Sequence, residues 1–318
     1  MTSSQVGWIG LGSMGLGMSK NLQNKLSSTG AQPLVYTNRT LSRGEPLKAL
    51  GAVPAETVTE VARKSDIIFS CVSNDAVLKE VAEEIIASGD IKGKIFADCS
   101  TVHPDTSVAV SKLISEAGGR FIAAPVFGAS PVAEAGKLVF VVAGPSEAIE
   151  AISPYLKDVM GRAVIQMGAD VSKSSLLKIA GNICVVSFME VIAEAHVFGE
   201  KTGLGSEVVG QTLGELFGPV VDSYSRRLTT GAYAPGPGGR AGFDVALSIK
   251  DARHALNCAQ NAGAGTLGAS EVALKNMEAA RELQPGKPLD SSSMYGTLRV
   301  AAGLDFYTDL CKARDAAK

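Results

Sequence analysis

The sequence predicts an α/β domain built on a doubly wound parallel sheet, followed by an all-helical domain. In the first half, short apolar segments alternate with segments of helical periodicity, the pattern of a parallel sheet covered by helices. After about residue 165 only helical periodicity remains, and residues 171–202 form one long helical pattern without proline. We therefore expect one domain at 1–165 and a second at 166–318, joined by the long helix.

The same periodicities predict the order of the elements. Residues 6–9 form a short apolar strand that enters a glycine-rich turn and then a helix with Met18 and Leu22 on one face. The other expected strands are 34–36, 52–53, 66–72, 94–98, 121–124 and 137–143. Helices are expected to end near residue 50 and to occupy 58–64, 77–86, 106–117, 171–202, 207–216, 220–228, 244–262, 270–283 and 291–305.

Composition excludes several classes of protein. The chain has 318 residues, of which 46% are hydrophobic and 19% charged, which is typical of a soluble globular protein. Its net charge of −2 gives no general attraction to nucleic acid or to an anionic membrane. No uninterrupted apolar run reaches the ~18 residues of a membrane span. We expect neither kind of partner.

The cysteines, histidines and first residues indicate a reduced compartment. Five cysteines are scattered without a C-x-x-C pair, and three histidines share no ligand spacing. We therefore expect neither a disulfide framework nor a metal site. Residues 1–5 contain no basic and apolar leader, which favours a cytoplasmic location.

The first strand runs directly into Gly10-x-Gly12-x-x-Gly15, and a helix follows. In a dinucleotide-binding unit, the first glycine permits a tight turn, the second lets the backbone approach a pyrophosphate, and the third lets the helix pack on its strand. An incidental glycine turn is the alternative, but the position between strand and helix favours binding. The cofactor contacts predicted here are Gly10, Leu11, Gly12, Ser13, Met14 and Gly15.

The second strand is followed by Asn38, Arg39 and Thr40. NAD-specific sites carry an acidic residue at this point, which bonds the ribose hydroxyls, whereas an arginine suits a 2′-phosphate. The sequence therefore predicts NADP as the cofactor, with NADPH preferred over NADH. The alternative is an exposed arginine at a strand end.

Three loops carry the candidate chemistry, and we expect them to meet in a cleft between the domains. Val72 and Ser73 lie at the C-terminal end of one buried strand, at the edge where parallel sheets bind ligands, and Ser100 and Thr101 follow the next strand. A third loop, residues 124–130, follows a further strand and ends in a glycine-containing turn. Hydroxyl groups and backbone N–H groups in such loops can bind a substrate carboxylate.

Lys178 and Asn182 lie four residues apart near the start of the long helix, so their side chains share one face. A lysine among apolar neighbours most often extends its ammonium to solvent. Buried beside a cofactor, the same group could donate a proton to a carbonyl oxygen as hydride arrives.

Together these segments resemble the β-hydroxyacid dehydrogenase family, which includes 3-hydroxyisobutyrate dehydrogenases and reductases of tartronate semialdehyde, glyoxylate and succinic semialdehyde. The similarity covers nearly the whole chain. It rests on G-L-G-S-M-G-L-G-M-S-K-N-L, D-C-S-T-V-H-P, A-P-V-F-G, G-K-L-V-F-V-V-A-G, the K-x-x-x-N element at Lys178, and Lys250-Asp251. The resemblance implies a Rossmann domain followed by an all-α domain, through which members form homodimers or homotetramers.

The resemblance also implies roles for individual residues. Lys178 would be the general acid/base, with Asn182 beside it. Ser100 and Gly128 would hold the acid group of the substrate.

Residues around the nicotinamide follow from the same resemblance. Thr101 and Val77 would line its side of the site, and Lys250 would reach the cofactor. Phe243 and Asp251 would help to close the site from the helical domain.

Phe127 departs from the family pattern. After the Pro-Val of the A-P-V-F-G segment, the family usually has a serine that contributes to carboxylate binding. A benzyl group makes the pocket less polar and changes its shape, unless the ring points into the core. Imine reductases, which are similar in fold, usually lack the lysine at position 178.

The sequence thus predicts an NADP(H)-dependent oxidoreductase that interconverts a small β-hydroxyacid and its semialdehyde or a related aldehyde. Its expected partner is a small carbonyl or hydroxyacid substrate. Two alternatives are an imine or bulkier-ketone reductase, suggested by Phe127, and a cofactor-binding scaffold without turnover.

Overall fold

The computed structural model describes residues 4–317 and contains two compact units. The first ends at Lys178 and the second begins at Ile179, so the division falls within the long helix. The predicted boundary near residue 165 instead marks the end of the last strand, Gly161–Gln166. The first turns of the helix belong to the first unit because Val171 packs into its core. Of residues 1–5, for which no leader is expected, the first three lie outside the described residues.

A six-stranded parallel sheet forms the centre of the first unit, as predicted. Its strands are β1 (Val6–Ile9), β2 (Val35–Thr37), β3 (Val53–Pro54), β4 (Ile67–Ser70), β5 (Ile95–Asp98) and β6 (Arg120–Ala123). The order across the sheet is β3-β2-β1-β4-β5-β6, and every neighbouring pair is parallel. The order reverses between β1 and β4, and ligands bind such sheets at this switch point, beyond the carboxyl ends of the strands.

Helices cover both faces of this sheet. They are α1 (Ser13–Ser28), α2 (Glu45–Lys48), α3 (Val58–Lys64), α4 (Asp75–Ala87), α5 (Pro104–Glu116), α6 (Ser130–Glu134) and α7 (Ser146–Leu156). Because side chains alternate along a strand, Phe69 joins one apolar core and its neighbour Ile68 joins the other. Strands buried on both faces explain the continuous apolar runs in the sequence.

A second, three-stranded sheet extends the first unit. It consists of β7 (Val126–Phe127), β8 (Leu138–Val142) and β9 (Gly161–Gln166). The strand expected at 137–143 lies here, antiparallel to β7 and parallel to β9, and is not part of the six-stranded sheet. The short strands β7 and β9 and the helices α6 and α7 were not predicted.

The second unit is helical. The long helix α8 (Val171–Thr202) starts in the first unit and is followed by α9 (Ser206–Phe217), α10 (Pro219–Thr229), α11 (Val245–Ala262), α12 (Gly268–Leu283), α13 (Met294–Ala301) and α14 (Asp309–Ala316). The helix expected at 291–305 is shorter, since a 3-10 turn occupies Ser291–Ser293 and Gly303 adopts a φ of +74° beyond its end.

Helix α8 is long and apolar enough, by length and composition alone, to cross a membrane. Its inward residues Val186, Met189 and Ile192 lie in the apolar core of the second unit. Core helices of soluble proteins pass the same test, so length and composition alone are weak evidence for a membrane span.

Glu190 is a buried carboxyl in this core. It accepts a hydrogen bond from Asn276, while its Oε2 has no hydrogen-bond partner within residues 4–317. The pKa of Glu190 is raised from its ordinary value of 4.5 to about 7, chiefly by burial and also by the nearby charge of Glu194, whereas the Asn276 hydrogen bond opposes the rise.

Stability should therefore fall as pH rises through about 7. The pKa of Glu190 is higher in the folded state than its ordinary value. The stability that protonated Glu190 contributes is therefore complete below pH 4.5 and is lost as Glu190 ionises in the folded protein. Glu190→Gln should remove this slope and raise the free energy of unfolding at pH 8.5 by on the order of 2 kcal/mol. Urea unfolding of both proteins between pH 5.5 and 8.5 measures the pH slope and the free energy of unfolding at pH 8.5. The exposed Glu215→Gln on α9 is the control and should keep the slope.

Candidate functional site

The turn between β1 and α1 requires each of its three glycines for a different reason. Gly10 has a φ of +94°, and a Cβ there would lie 2.4 Å from the carbonyl oxygen of Cys71. A Cβ on Gly15 would lie 2.2 Å from the carbonyl oxygen of Gly10. For Gly12, no described atom lies within 4 Å of the corresponding position. Two glycines thus permit close packing, and the third leaves open space beside the backbone.

The start of α1 fits an anion. Gly12 is the residue that precedes the helix and has no side chain to cap it, and the first turn, Ser13 to Leu16, is uncharged. Uncapped N–H groups and the helix dipole favour a phosphate group at this end. The open space at Gly12 lies at this helix start, so these residues fit the pyrophosphate of a dinucleotide.

Asn38 joins this turn to the end of β2. Its Oδ1 accepts a hydrogen bond of 2.8 Å from the N–H of Leu11, and its Nδ2 donates to the carbonyl oxygen of Thr40. Leu11 is a predicted cofactor contact, and its N–H is engaged by Asn38. Arg39 is exposed, and within residues 4–317 its guanidinium has no hydrogen-bond or ion-pair partner.

A buried carboxylate ties together the loops after β4 and β5. Oδ1 of Asp98 accepts hydrogen bonds of 2.6 Å from the hydroxyls of both Ser70 and Ser100. The Ser100 hydroxyl also accepts a bond of 2.8 Å from the N–H of Val72. Ser100, predicted to hold the substrate's acid group, thus uses its hydroxyl within the protein. Asp98 was read as part of a motif, and its organising role was missed because these contacts cross between strands.

Two thiols lie beside this carboxylate. Burial, together with the charge of Asp98, raises the pKa of Cys71 to about 12. Burial also raises the pKa of Cys99 well above its usual range, as do Cys71 and Asp98. Both groups are therefore protonated thiols, which are poor nucleophiles.

The remaining loop residues lie at the same edge of the sheet. Asn74 caps α4 by accepting a hydrogen bond from the N–H of Val77. Asp75 accepts one from the N–H of His103, which joins the loop after β4 to the loop containing Thr101. Ser73 is exposed.

Lys178 is held within the first unit against Phe127. The Lys178 side chain is only 9% exposed, and its Nζ lies 4.5 Å from the centre of the Phe127 ring. One turn earlier, Ser174 donates its hydroxyl proton towards the carbonyl oxygens of Ala123 and Val141, at 3.2 and 2.6 Å. The ring of Phe127 therefore faces the lysine. Gly128 follows with a φ of +132°, which favours glycine at this turn.

The second unit contains a polar cluster of its own. Asn182 donates a hydrogen bond of 2.7 Å to Oδ2 of Asp251, and Lys250 forms a 2.8 Å ion pair with Oδ1 of the same carboxylate. Asp251 is buried and orients Asn182. The backbone of Phe243 is fixed by a bond from its N–H to Asp290. Among residues 4–317, no group of three or more His, Cys, Asp or Glu side chains could hold a metal ion.

A doubly wound sheet with a glycine turn that fits a pyrophosphate is the arrangement of a dinucleotide-binding domain. Residues 5–168 match the family described as the NAD binding domain of 6-phosphogluconate dehydrogenase, and the chain belongs to that family. It is an NAD(P)-dependent oxidoreductase of the hydroxyacid dehydrogenase type.

Two relatives match almost the whole chain. The NADH-dependent oxidoreductase ucdB of Aspergillus ustus is 30% identical over 93% of this chain and 99% of its own length. The 2-hydroxy-3-oxopropionate reductase of Escherichia coli (strain K12) is 29% identical over 94% of this chain and 98% of its own.

Solved structures share the fold. The 3-hydroxyisobutyrate dehydrogenase (ygbJ) from Salmonella typhimurium has a TM-score of 0.80 at 21% identity and covers 92% of this chain and 99% of that one. An imine reductase from Pseudomonas sp. has a TM-score of 0.59 at 19% identity and covers 93% and 99%.

Gly12→Ala should separate cofactor binding from folding. The new methyl group meets no described atom, so the thermal midpoint should stay within about 2 °C, which corresponds to a ΔΔG below ~1 kcal/mol. The methyl group should exclude a pyrophosphate and weaken NADPH and NADH binding by roughly tenfold or more, which is about 1.4 kcal/mol. Fluorescence titration and thermal unfolding measure the two effects. Gly268→Ala, also in open space, should change neither, and unchanged binding in Gly12→Ala would contradict this placement.

Proposed function

We propose that this protein interconverts a small β-hydroxyacid and its semialdehyde or a related aldehyde with NADP(H), and that Lys178 is the general acid/base. The observation that carries the proposal is a lysine that is 9% exposed and held at the strand ends through the neighbouring Ser174. The 2-hydroxy-3-oxopropionate reductase of Escherichia coli, by its name, acts on a substrate of this class.

Individual residues of the chain would have separate roles in this reaction. The nicotinamide, when bound, supplies or accepts the hydride. The Lys178 ammonium would donate a proton to the carbonyl oxygen during reduction, and its neutral amine would take the hydroxyl proton during oxidation. Asn182 lies one helical turn after Lys178, and Asp251 orients its amide. Because the Ser100 hydroxyl is engaged, we propose that backbone N–H groups near Thr101 and Gly128 bind the acid group.

The proposed preference for NADPH rests on Arg39. Its exposed guanidinium follows β2 and has no hydrogen-bond or ion-pair partner within residues 4–317. A carboxylate at this position would repel a 2′-phosphate, whereas a guanidinium attracts it. The relative ucdB is named for NADH, so the cofactor must be tested directly.

Phe127 supports a second candidate function. Its ring faces Lys178 where the resemblance predicts a serine, which favours a less polar substrate such as a bulkier ketone or an imine. Imine reductases share the fold. Tight NADPH binding without turnover of any carbonyl or imine would indicate a scaffold.

We further propose a homodimer or homotetramer built by the helical unit. Large apolar side chains remain exposed on α8 and α9, namely Val191, Phe198, Leu216 and Phe217. The cytoplasmic location stays a prediction from the sequence.

Lys178→Met should lower kcat for reduction by roughly 10²–10⁴ because the proton donor is lost. The measurement is NADPH oxidation with glyoxylate, succinic semialdehyde and methylmalonate semialdehyde, with the cofactor Kd determined in parallel. Lys173→Met removes an exposed lysine from the first turn of the same helix and should leave kcat unchanged. An equal loss of cofactor binding in Lys178→Met would refute the assigned role.

Arg39→Ala should weaken NADPH binding by roughly 10-fold to 100-fold, about 1.4–2.7 kcal/mol, because a charge-assisted contact to the 2′-phosphate is lost. NADH binding should change less than threefold. Titration of both cofactors gives the ratio, with Arg162→Ala, an exposed arginine on β9, as the control. If the wild-type protein binds NADH more tightly than NADPH, the proposed cofactor preference is wrong.

A further inference from the structure

The pairing of Lys178 with Phe127 is the feature that the proposed reaction leaves unexplained. The ammonium lies 4.5 Å from the ring centre, well within the range over which an aromatic face attracts a cation. Lys178 is almost completely buried, and such attraction is strongest where water is excluded.

Both partners are fixed by independent parts of the first unit. Phe127 lies in β7, where it pairs with Val139 of β8. On the helix side, the Ser174 hydroxyl is bound to carbonyl oxygens of Ala123 and Val141, and the hydroxyls of Ser175 and Ser107 are 2.8 Å apart. Because these contacts fix the backbone on each side, the geometry of the pair does not depend on a flexible loop.

A ring and a hydroxyl would affect the lysine differently. A serine hydroxyl has lone pairs and would compete for one of the three ammonium protons. The ring face attracts the charge without a lone pair, so it accepts none of the ammonium protons. Burial alone disfavours the charged form of a lysine, and the ring opposes that effect.

We propose that Phe127 is a positioning residue whose ring holds the Lys178 ammonium charged and in place above it. This inference rests on the proposed function only in the use made of the lysine, since the contact itself exists without turnover. It also gives Phe127 a role other than shaping the pocket.

The test compares Phe127→Leu, which removes the ring at similar volume, with Phe127→Tyr, which keeps the ring. For reduction of succinic semialdehyde with NADPH, activity falls as pH rises and the lysine loses its proton. Phe127→Leu should move the midpoint of this alkaline limb down by about one pH unit, while Phe127→Tyr should stay within about 0.3 units of wild type. The NADPH Kd should be unchanged in both variants.

A second readout needs no turnover. In protein labelled with ¹³C at its lysines, the Lys178 side-chain protons should resonate upfield because they lie over the ring, and Lys178→Arg identifies the signal. Phe127→Leu should abolish the upfield shift and lower the titration midpoint of the Lys178 ¹³Cε signal, and Phe127→Tyr should preserve both.

The outcomes are distinct. If the Lys178 ¹³Cε signal has the same titration midpoint in Phe127→Leu as in wild type, the inference is wrong, whatever the activity. If the NMR midpoint moves as expected but wild type reduces no carbonyl, the inference stands and the proposed function fails. Thermal unfolding of both variants identifies a loss of fold, in which case Phe127→Met replaces Phe127→Leu.

Discussion

The tight turn at Gly10 is the constraint on which the rest of the nucleotide-binding unit depends. Its N–H donates to the carbonyl oxygen of Thr37 in β2, and its own carbonyl oxygen accepts a bond from the indole of Trp8. The same carbonyl lies against Gly15 of α1, and the α-carbon faces the backbone of Cys71 after β4. Four segments therefore meet around one residue without a side chain, and any Cβ there would force them apart.

The candidate site follows from how the loops beyond this turn are held. Each is fixed to its neighbour by a polar side chain, Asn38 beside Leu11 and Asp98 beside Ser100. Such cross-links leave few backbone conformations available, so the edge of the sheet is arranged before a cofactor arrives. Preorganisation of this kind reduces the entropic cost of binding because fewer backbone conformations are lost when the cofactor binds.

Local patterns explain how much could be predicted from the sequence. The order strand, glycine turn, helix was predicted, and the helices Val58–Lys64 and Val171–Thr202 were predicted with their observed bounds, because periodicity and glycine spacing are local. Helix α7 was missed, since it contains Pro154, and β9 was missed because it is short and only partly buried.

Contacts across the sheet could not be predicted in the same way. The engagement of Ser100 by Asp98 and Val72, and the approach of Phe127 to Lys178, depend on the register of strands that are distant in sequence. The sequence placed these residues in the correct loops, but a shared loop does not determine whether a hydroxyl faces a ligand or a neighbouring carboxylate.

The two thiols beside Asp98 have a consequence for chemical labelling. Cys71 and Cys99 lie next to a negative charge, Cys311 is buried and Cys258 is half-buried, whereas Cys184 is exposed on α8. A maleimide or iodoacetamide reagent should therefore attach at Cys184 and leave the turn at the nucleotide site unmodified. The protein thus has a native attachment point for a fluorophore or spin label on its helical unit, and no cysteine near the glycine turn has to be replaced first.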